Sequence, residues 1–420
     1  GWQTVSEDPK LRRDAKSDKP AESAAAVAVE TEEEEEEGCE VPGAGSLKRE
    51  SCAGDDHVAA DEETLNDPTK ADGANLIVDT VCDLYRDHVD GSDHDHWPVR
   101  LWKTLATTVL KPQLSAFFHD RTEFTKRLAA FEANGKFEDP ETGATLKSLL
   151  TSLRDEFGQL RVYCWHTLGG YWGGVSVASP HTAHLAPWEH TPRPTKSLVE
   201  VEPALQWDAA ALCGVGAVGA GHELSLFHGI HSYLSDAGVD GVKIDAQSGI
   251  GPLGQGAGGG PTIVSRHVNA MEASVAEHFE GGRCINCMCH STENLYSYRS
   301  TALLRAADDF YPNEPHSQPV HLANVAYNSL FLSEVGHTDW DMFTTTHVDA
   351  ALHAAARAVG GSQVYVSDKP GHHNFELLRQ LVLPDGSTLV AQNAGRPTRD
   401  VLFSDVNSDG VTPLKVWNAN

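Results

Sequence analysis

The stretch "GVDGVKID", residues 238–245, sets Val242 and Ile244 in alternation with Lys243 and Asp245 just after a glycine. Successive side chains on a strand point to opposite faces, so Val242 and Ile244 share one side and Lys243 and Asp245 the other. A strand that is apolar on one face and charged on the other does not sit between two apolar layers. The charged pair is either an ion pair facing water or part of a working site, because an isolated buried charge is costly. An ammonium beside a carboxylate favours the ionised acid, which suits a nucleophile and not a proton donor.

The chain on both sides of this stretch alternates helical and extended patterns. Upstream, "GATLKSLLTSLRDEFGQL" (143–160) reads as an amphipathic helix, "RVYCWHTL" (161–168) as a strand and "HELSLFHGIHSYLSDAG" (222–238) as a helix with a glycine stop. Downstream, helices are predicted in "VSRHVNAMEASVAEHFEGG" (264–282), "HLANVAYNSLFLSEVG" (321–336) and "DAALHAAARAVGG" (349–361). Strands are predicted in "RCINCMCH" (283–290), "TALLRAADDFYP" (301–312), "TDWDMF" (338–343) and "SQVYVSD" (362–368). This rhythm implies a parallel sheet covered by helices. Chemically suggestive residues recur just past the strands: Trp165 with His166, Asp245, Cys287 with His290, Asp309, Asp341 and Asp368. Contribution from many strands favours an α/β (β/α)8 TIM barrel over a doubly wound sheet, which gathers its ligands at one crevice. "QSGIGPLGQGAGGGPT" (247–262) lacks the Lys-Ser/Thr ending of a phosphate loop and is expected to be a flexible loop at the barrel mouth.

The 420 residues include 32 basic and 60 acidic ones, a net charge of −28, which argues against partnership with nucleic acid or an anionic membrane. The first hundred residues hold 27 acidic against 10 basic side chains, more than half of the imbalance. That front segment, with "AESAAAVAVETEEEEEEGCE" (21–40), is too poor in apolar surface to offset its ordering entropy and is expected to be mostly disordered, with one short helix in "GANLIVDTVCDLYRDHV" (73–89). No apolar run is long enough for a membrane span, and the opening lacks the pattern of a signal peptide. Eight irregularly spaced cysteines suggest a reducing compartment, and the expectation is cytoplasmic, with a plastid as the other possibility.

A second carboxylate comes from "RAADDFYP" (305–312), where Asp308 and Asp309 follow Arg305 and strand alternation admits only one of the two to the barrel. Two carboxylates at one barrel mouth, one ionised and one protonated, are what a glycosidase needs. Trp165, Tyr171, Trp172 and Trp340 offer rings for sugar faces, and Asp339 and Asp341 could accept from hydroxyls. Cys284, Cys287, Cys289 and His290 have ligand identities, but no second ligand pair exists, so no metal is expected there. Packing is the simpler role, with Cys287 or His290 lining the pocket.

Taken in order, "YCWHTLGGYWGG", "AGVDGVKIDAQ", "CMCHSTENLY", "RAADDFYP", "AYNSLFLSEV", "DWDMF", "YVSDKPGHHNFELL", "LVLPDGS" and "GRPTRDVLFSD" resemble plant raffinose synthases and seed imbibition proteins, the alkaline α-galactosidases of glycoside hydrolase family 36. The resemblance spans about residues 117 to 420. It implies a (β/α)8 barrel and a retaining double displacement, with Asp245 as nucleophile and Asp309 as acid/base. Lys243 and Arg305 would hold galactose hydroxyls, and Trp165, Trp172, Cys287, His290, Trp340 and Asp341 would complete the substrate site. With galactinol as donor and sucrose as acceptor the product is raffinose; with water as acceptor the enzyme is an α-galactosidase; an inactive sugar-binding relative is the third reading. No cofactor is implied.

The family's first barrel strand ends in two aspartates followed by Gly-Trp-Gln, the tripeptide that opens this chain. The expectation is therefore a barrel lacking strand 1, inactive on its own. Residues 1–116 would be an acidic insertion after that strand, 117–380 the catalytic barrel and 381–420 the start of a C-terminal β-rich region.

Overall fold

Strand residues of alternate parity are buried against helices, and this decides which way the sheet faces. Val162, Val242, Ile244 and Cys284 pack with Leu146, Leu150, Leu226, Phe227, Val264, Val268 and Met271 in one apolar cluster. Burial of each such side chain contributes about 1.5–3 kcal/mol. The computed structural model describes residues 2–6, 25–29, 123–158, 160–206, 208–388 and 391–419.

The helices that cover this face are α1 (Leu146–Phe157), α2 (Glu223–Ala237), α3 (Gly260–His278), α4 (Ser317–Val335) and α5 (Ala350–Gly360). Thr145 and Ser148 cap α1 reciprocally, Ser148 N–H donating to Thr145 Oγ1 at 3.3 Å and Thr145 N–H to Ser148 Oγ at 2.8 Å. The strands are β1 (Trp2–Ser6), β2 (Ala25–Val29), β3 (Arg161–Thr167), β4 (Trp188–His190), β5 (Val215–Ala217), β6 (Gly241–Asp245), β7 (Cys284–Asn286), β8 (Leu303–Arg305), β9 (His337–Asp339), β10 (Arg396–Pro397) and β11 (Val416–Trp417).

Seven strands form one sheet in the order β1-β2-β3-β6-β7-β8-β9, and β4 with β5 and β10 with β11 make small antiparallel pairs. β1 runs antiparallel to β2, and every other neighbour in the large sheet is parallel. Strand order follows chain order without reversal, whereas a doubly wound sheet reverses at its switch point. Among the described residues the sheet is open, with β1 at one edge and β9 at the other. The chain separates into two units, and the second contributes residues 193–206 and 208–213 to the description, including a helix over Lys196–Val201 that Thr195 caps through Leu198 N–H.

Several expectations need correction. Ten residues of the front segment are strands, and β2 runs parallel to β3 where no partner strand was expected. The sequence "AAVAV" has the apolar, β-branched character of a strand, which the surrounding acidic composition hides. The rest of that segment, including the helix expected over 73–89, lies outside the described residues. The Gly-rich stretch begins with a 3-10 helix over Gln247–Gly254 instead of a loose loop. Fully buried Gln247 anchors it, donating to Ile244 O at 2.9 Å and to Asn286 Oδ1 at 2.8 Å. The strand expected over 362–368 is reduced to a parallel bridge between Phe343 and Val366. Asp341 adopts φ +63°, which turns the partner segment out of extended geometry and interrupts the ladder.

Candidate active site

Register carries the alternation across the sheet. Trp165 pairs with Lys243 and Thr167 with Asp245, Lys243 with Ile285, Ile285 with Leu303, and Arg305 with Asp339. Paired residues in a parallel ladder share a face, so Trp165, Lys243, Asp245, Arg305 and Asp339 project from the side opposite the helix-facing core. Tyr163, Ile285 and Leu303 pack together lower on this same face as an apolar floor. Gly241 leaves room for that floor, because a Cβ there would stand 2.5 Å from Tyr163 Cε1.

Asp245, the last residue of β6, is 7% exposed. Its Oδ2 accepts from Trp165 Nε1 at 3.1 Å, and its Oδ1 accepts from Ala246 N–H at 2.6 Å. Ala246 has φ +52°, Met288 just after Cys287 has φ +45°, and Asp341 has φ +63°. Left-handed backbone at non-glycine residues is strained, and three of the four described cases cluster where β6, β7 and β9 end.

Arg305 joins the two halves of the site. Its Nη2 lies 2.6 Å from Asp341 Oδ2 and 2.7 Å from Asp309 Oδ1, and its Nη1 donates to Cys287 Sγ at 3.5 Å. Burial alone would raise the Asp341 carboxyl, but Arg305 and then Lys243 outweigh it and hold the group below its ordinary value. Burial pushes the Cys287 thiol well above its ordinary value against the pull of Arg305 and Lys243, which keeps it protonated. Burial also raises Asp339, whose carboxylate accepts from Tyr365 Oη at 2.9 and 2.8 Å.

Asp309 and Asp308 part company as adjacent residues do. The Asp309 side chain is 62% exposed and reaches Arg305. Asp308 turns toward α4, where His321 Nδ1 lies 3.4 Å from its Oδ1. The Trp172 ring stands 5.2 Å from that of Trp165 and 5.2 Å from that of Phe124, and Tyr171 meets Trp165 edge-on at 5.9 Å. His290 is exposed, and partial desolvation together with the Arg305 charge holds its imidazole below the ordinary value.

The structure therefore brings Lys243, Asp245, Trp165, Trp172, Cys287, Arg305 and Asp309 to one region, with His290 at its rim. Two expected substrate contacts are corrected. Trp340 is 1% exposed and packs on Ala306, Ala307, Val325 and Ala326, so it has no open face for a sugar ring. Parity explains this: Asp339 faces the site and its neighbour Trp340 faces the helices. Asp341 is fully buried and already engaged by Arg305 and by Phe310 N–H at 2.8 Å, so it orients Arg305 and presents nothing to solvent. The four candidate metal ligands also disperse: Cys284 Sγ faces Asn286, Cys287 Sγ faces Arg305 Nη1 and Cys289 Sγ faces Arg305 O.

Tyr365 and the Trp165 indole N–H are contacts that the sequence reading missed. Alternation in "SQVYVSD" would have set Tyr365 apart from Val364 and Val366. Behind the site, Arg357 of α5 donates to Asp341 O at 3.0 Å and Met342 O at 2.8 Å, an arrangement with no local signal in the sequence. A cleft of about 360 Å³ lined by Gly336, His337, Gly361, Asn393 and Trp417 opens where β9 begins, and no expected site residue lines it.

Comparison with known proteins adds a decisive match. A family model described as raffinose synthase or seed imbibition protein Sip1 matches residues 107–420. The chain belongs to this family. Among members of the raffinose synthase and seed imbibition protein family, the chain is 45% identical over 297 residues to the probable galactinol–sucrose galactosyltransferase 6 of Arabidopsis thaliana, covering 70% of this chain and 39% of that protein. It is 38% identical over 311 residues to the galactinol–sucrose galactosyltransferase of Pisum sativum, covering 70% and 38%. The chain thus spans about two fifths of the length of the curated relatives it matches. A solved α-galactosidase of Thermus thermophilus in complex with stachyose aligns with TM-score 0.40 and 17% identity over 61% of this chain and 55% of that one. The family match takes in every residue of the site assembled above, from Phe124 to Tyr365.

Proposed function

We propose that the protein to which this chain belongs transfers an α-galactosyl unit with retention, from galactinol to sucrose, giving raffinose. The observation that carries this reading is the contrast between two carboxylates, one at the end of β6 and one held by Arg305 at the end of β8. Asp245 is buried and held by Trp165 Nε1 beside Lys243, whereas Asp309 is largely exposed and tethered to Arg305. A nucleophile needs a fixed, ionised oxygen, and an acid/base needs access to the leaving group and the acceptor.

In the first step an Asp245 oxygen attacks the anomeric carbon, the bond from that carbon to the inositol oxygen breaks, and Asp309 gives its proton to that oxygen. In the second, Asp309 takes the proton of a sucrose hydroxyl, whose oxygen attacks the anomeric carbon and releases Asp245. Lys243 and Arg305 bind galactose hydroxyls, Trp165 and Trp172 supply apolar faces, and Cys287 and His290 border the pocket. The winding of the sheet without reversal supports a closed (β/α)8 barrel in the whole protein, with residues 117–380 as its catalytic part. No metal or cofactor takes part in this scheme, and the proposed compartment is the cytoplasm.

Water in place of sucrose would turn the same intermediate to hydrolysis of raffinose-family oligosaccharides. The test is product analysis of the full-length protein given galactinol with and without sucrose, for the native protein and for Asp245→Asn. Raffinose formation that needs sucrose and disappears in Asp245→Asn is the expected result. Undiminished turnover in that variant would remove Asp245 from the mechanism, and release of galactose regardless of sucrose would establish the hydrolase.

A further inference from the structure

On the helix side of β3, away from the carboxylates, a chain of histidines runs from the sheet to the surface between α2 and α3. His166 Nδ1 lies 2.9 Å from Thr167 O, and His166 Nε2 lies 3.0 Å from His231 Nε2. His231 Nδ1 lies 2.8 Å from Ser274 Oγ, and His278 Nδ1 lies 2.9 Å from Ser274 O. A carbonyl oxygen only accepts, so His166 Nδ1 carries its proton and Nε2 its lone pair. His231 must then donate from Nε2 and accept Ser274 Oγ–H at Nδ1. At the outer end His278 must donate from Nδ1 to Ser274 O, which leaves Nε2 as the ring nitrogen that can take a ligand. Hydrogen bonding of one imidazole nitrogen to a carbonyl is how proteins prepare the other nitrogen for a metal.

Two further donors meet His278 there. His228 of α2 stands with its ring 4.8 Å from that of His278, and Glu277 of α3 lies 3.6 Å from His228 through Oε2 and Nδ1. One ligating atom from each of His228, Glu277 and His278 lies within 4.8 Å of the others. A tetrahedral zinc site needs ligand atoms about 3.3 Å apart, a closure that rotamer changes of side chains 53% and 59% exposed can supply. Glu277 and His278 also end α3, where the helix dipole favours a cation.

We infer that His228, Glu277 and His278 form a surface site for a zinc-class divalent cation, with one open coordination position, that clips α2 to α3. Two imidazoles and one carboxylate favour zinc, cobalt or nickel over magnesium and calcium, which take oxygen ligands. The site is separate from the carboxylate pair and from Cys284, Cys287, Cys289 and His290.

Calorimetric titration of the full chain with zinc chloride, alongside cobalt absorption spectra, tests this. The expected result is one site per chain, tetrahedral cobalt bands, and a zinc-dependent rise in Tm. His228→Ala, Glu277→Gln and His278→Ala should each weaken binding at least tenfold and abolish the Tm rise, while their metal-free Tm stays near that of the native chain. Equal affinity and stoichiometry in the His228→Ala/His278→Ala double variant would place the ion on other histidines and overturn the proposal. Absence of zinc binding by the native chain at millimolar concentration would do the same.

Discussion

Arg305 Nη2 stands 2.6 Å from Asp341 Oδ2, with the two side chains 2% and 0% exposed. A buried pair of this kind is costly to break from one side, because the remaining charge has neither water nor partner. Asp341→Ala is expected to cost about 3–5 kcal/mol in urea denaturation. Asp341→Asn separates charge from backbone, since Asn tolerates the left-handed φ that this position demands. A loss for Asn close to that for Ala would assign the effect to the charge, and a negligible loss for both would show that the pair contributes nothing.

Trp165→Phe keeps an aromatic ring beside Trp172 and removes the indole N–H that reaches Asp245. A hydrogen bond to a charged group is worth about 1.5–3 kcal/mol, so kcat/KM for galactosyl transfer should drop about 10- to 100-fold. Near-native Tm would exclude a folding defect as the cause. Activity within twofold of native would show that Asp245 does not depend on this contact.

Trp340→Ala addresses the opposite face. Removal of this buried ring should cost about 3–5 kcal/mol of stability and leave KM for the sugar donor unchanged in the folded fraction. Gly360→Ala should destabilise through the same contact, because a Cβ there would lie 2.7 Å from Trp340 Cδ2. A raised KM with full stability would return Trp340 to the substrate site.

Acid should weaken the fold through His166. Burial holds this imidazole down to about 4, against an ordinary value of 6.5. Above pH 6.5 both folded and unfolded chains carry it neutral, and no penalty exists. Between pH 6.5 and about 4 the unfolded chain binds a proton that the folded chain refuses, so stability falls on acidification by a total of about 3 kcal/mol from this group. His231, lowered by burial and by its histidine neighbours, acts in the same direction. Denaturation midpoints measured across that window should fall as the pH is lowered, and a flat profile would contradict buried neutral histidines.

Local period and glycine stops made the helices and the Lys243–Asp245 strand legible, because those signals lie within a few residues of one another. The same alternation, applied to "TDWDMF", sends Trp340 away from Asp339, and a tryptophan ring suits a buried core as well as a sugar face. The backbone turn at Asp341 is invisible to strand patterning, since aspartate there reads as one more polar residue. Gln247 and Arg357 act through partners 39 and 16 residues away, Asn286 and Asp341, and no local rule announces them. The strand at Ala25–Val29 was masked by composition, a property averaged over windows much longer than five residues.

Interleaving along β3 and β6 separates two kinds of editing at single-residue resolution. Odd-numbered positions from Tyr163 to Thr167 and from Gly241 to Asp245 address the face that carries Asp245, and the even-numbered ones between them address the helical coat. A library confined to Val162, Cys164, Val242 and Ile244 would therefore retune heat tolerance, and one confined to Trp165 and Lys243 would retune the surroundings of Asp245, although the two sets share the same two strands.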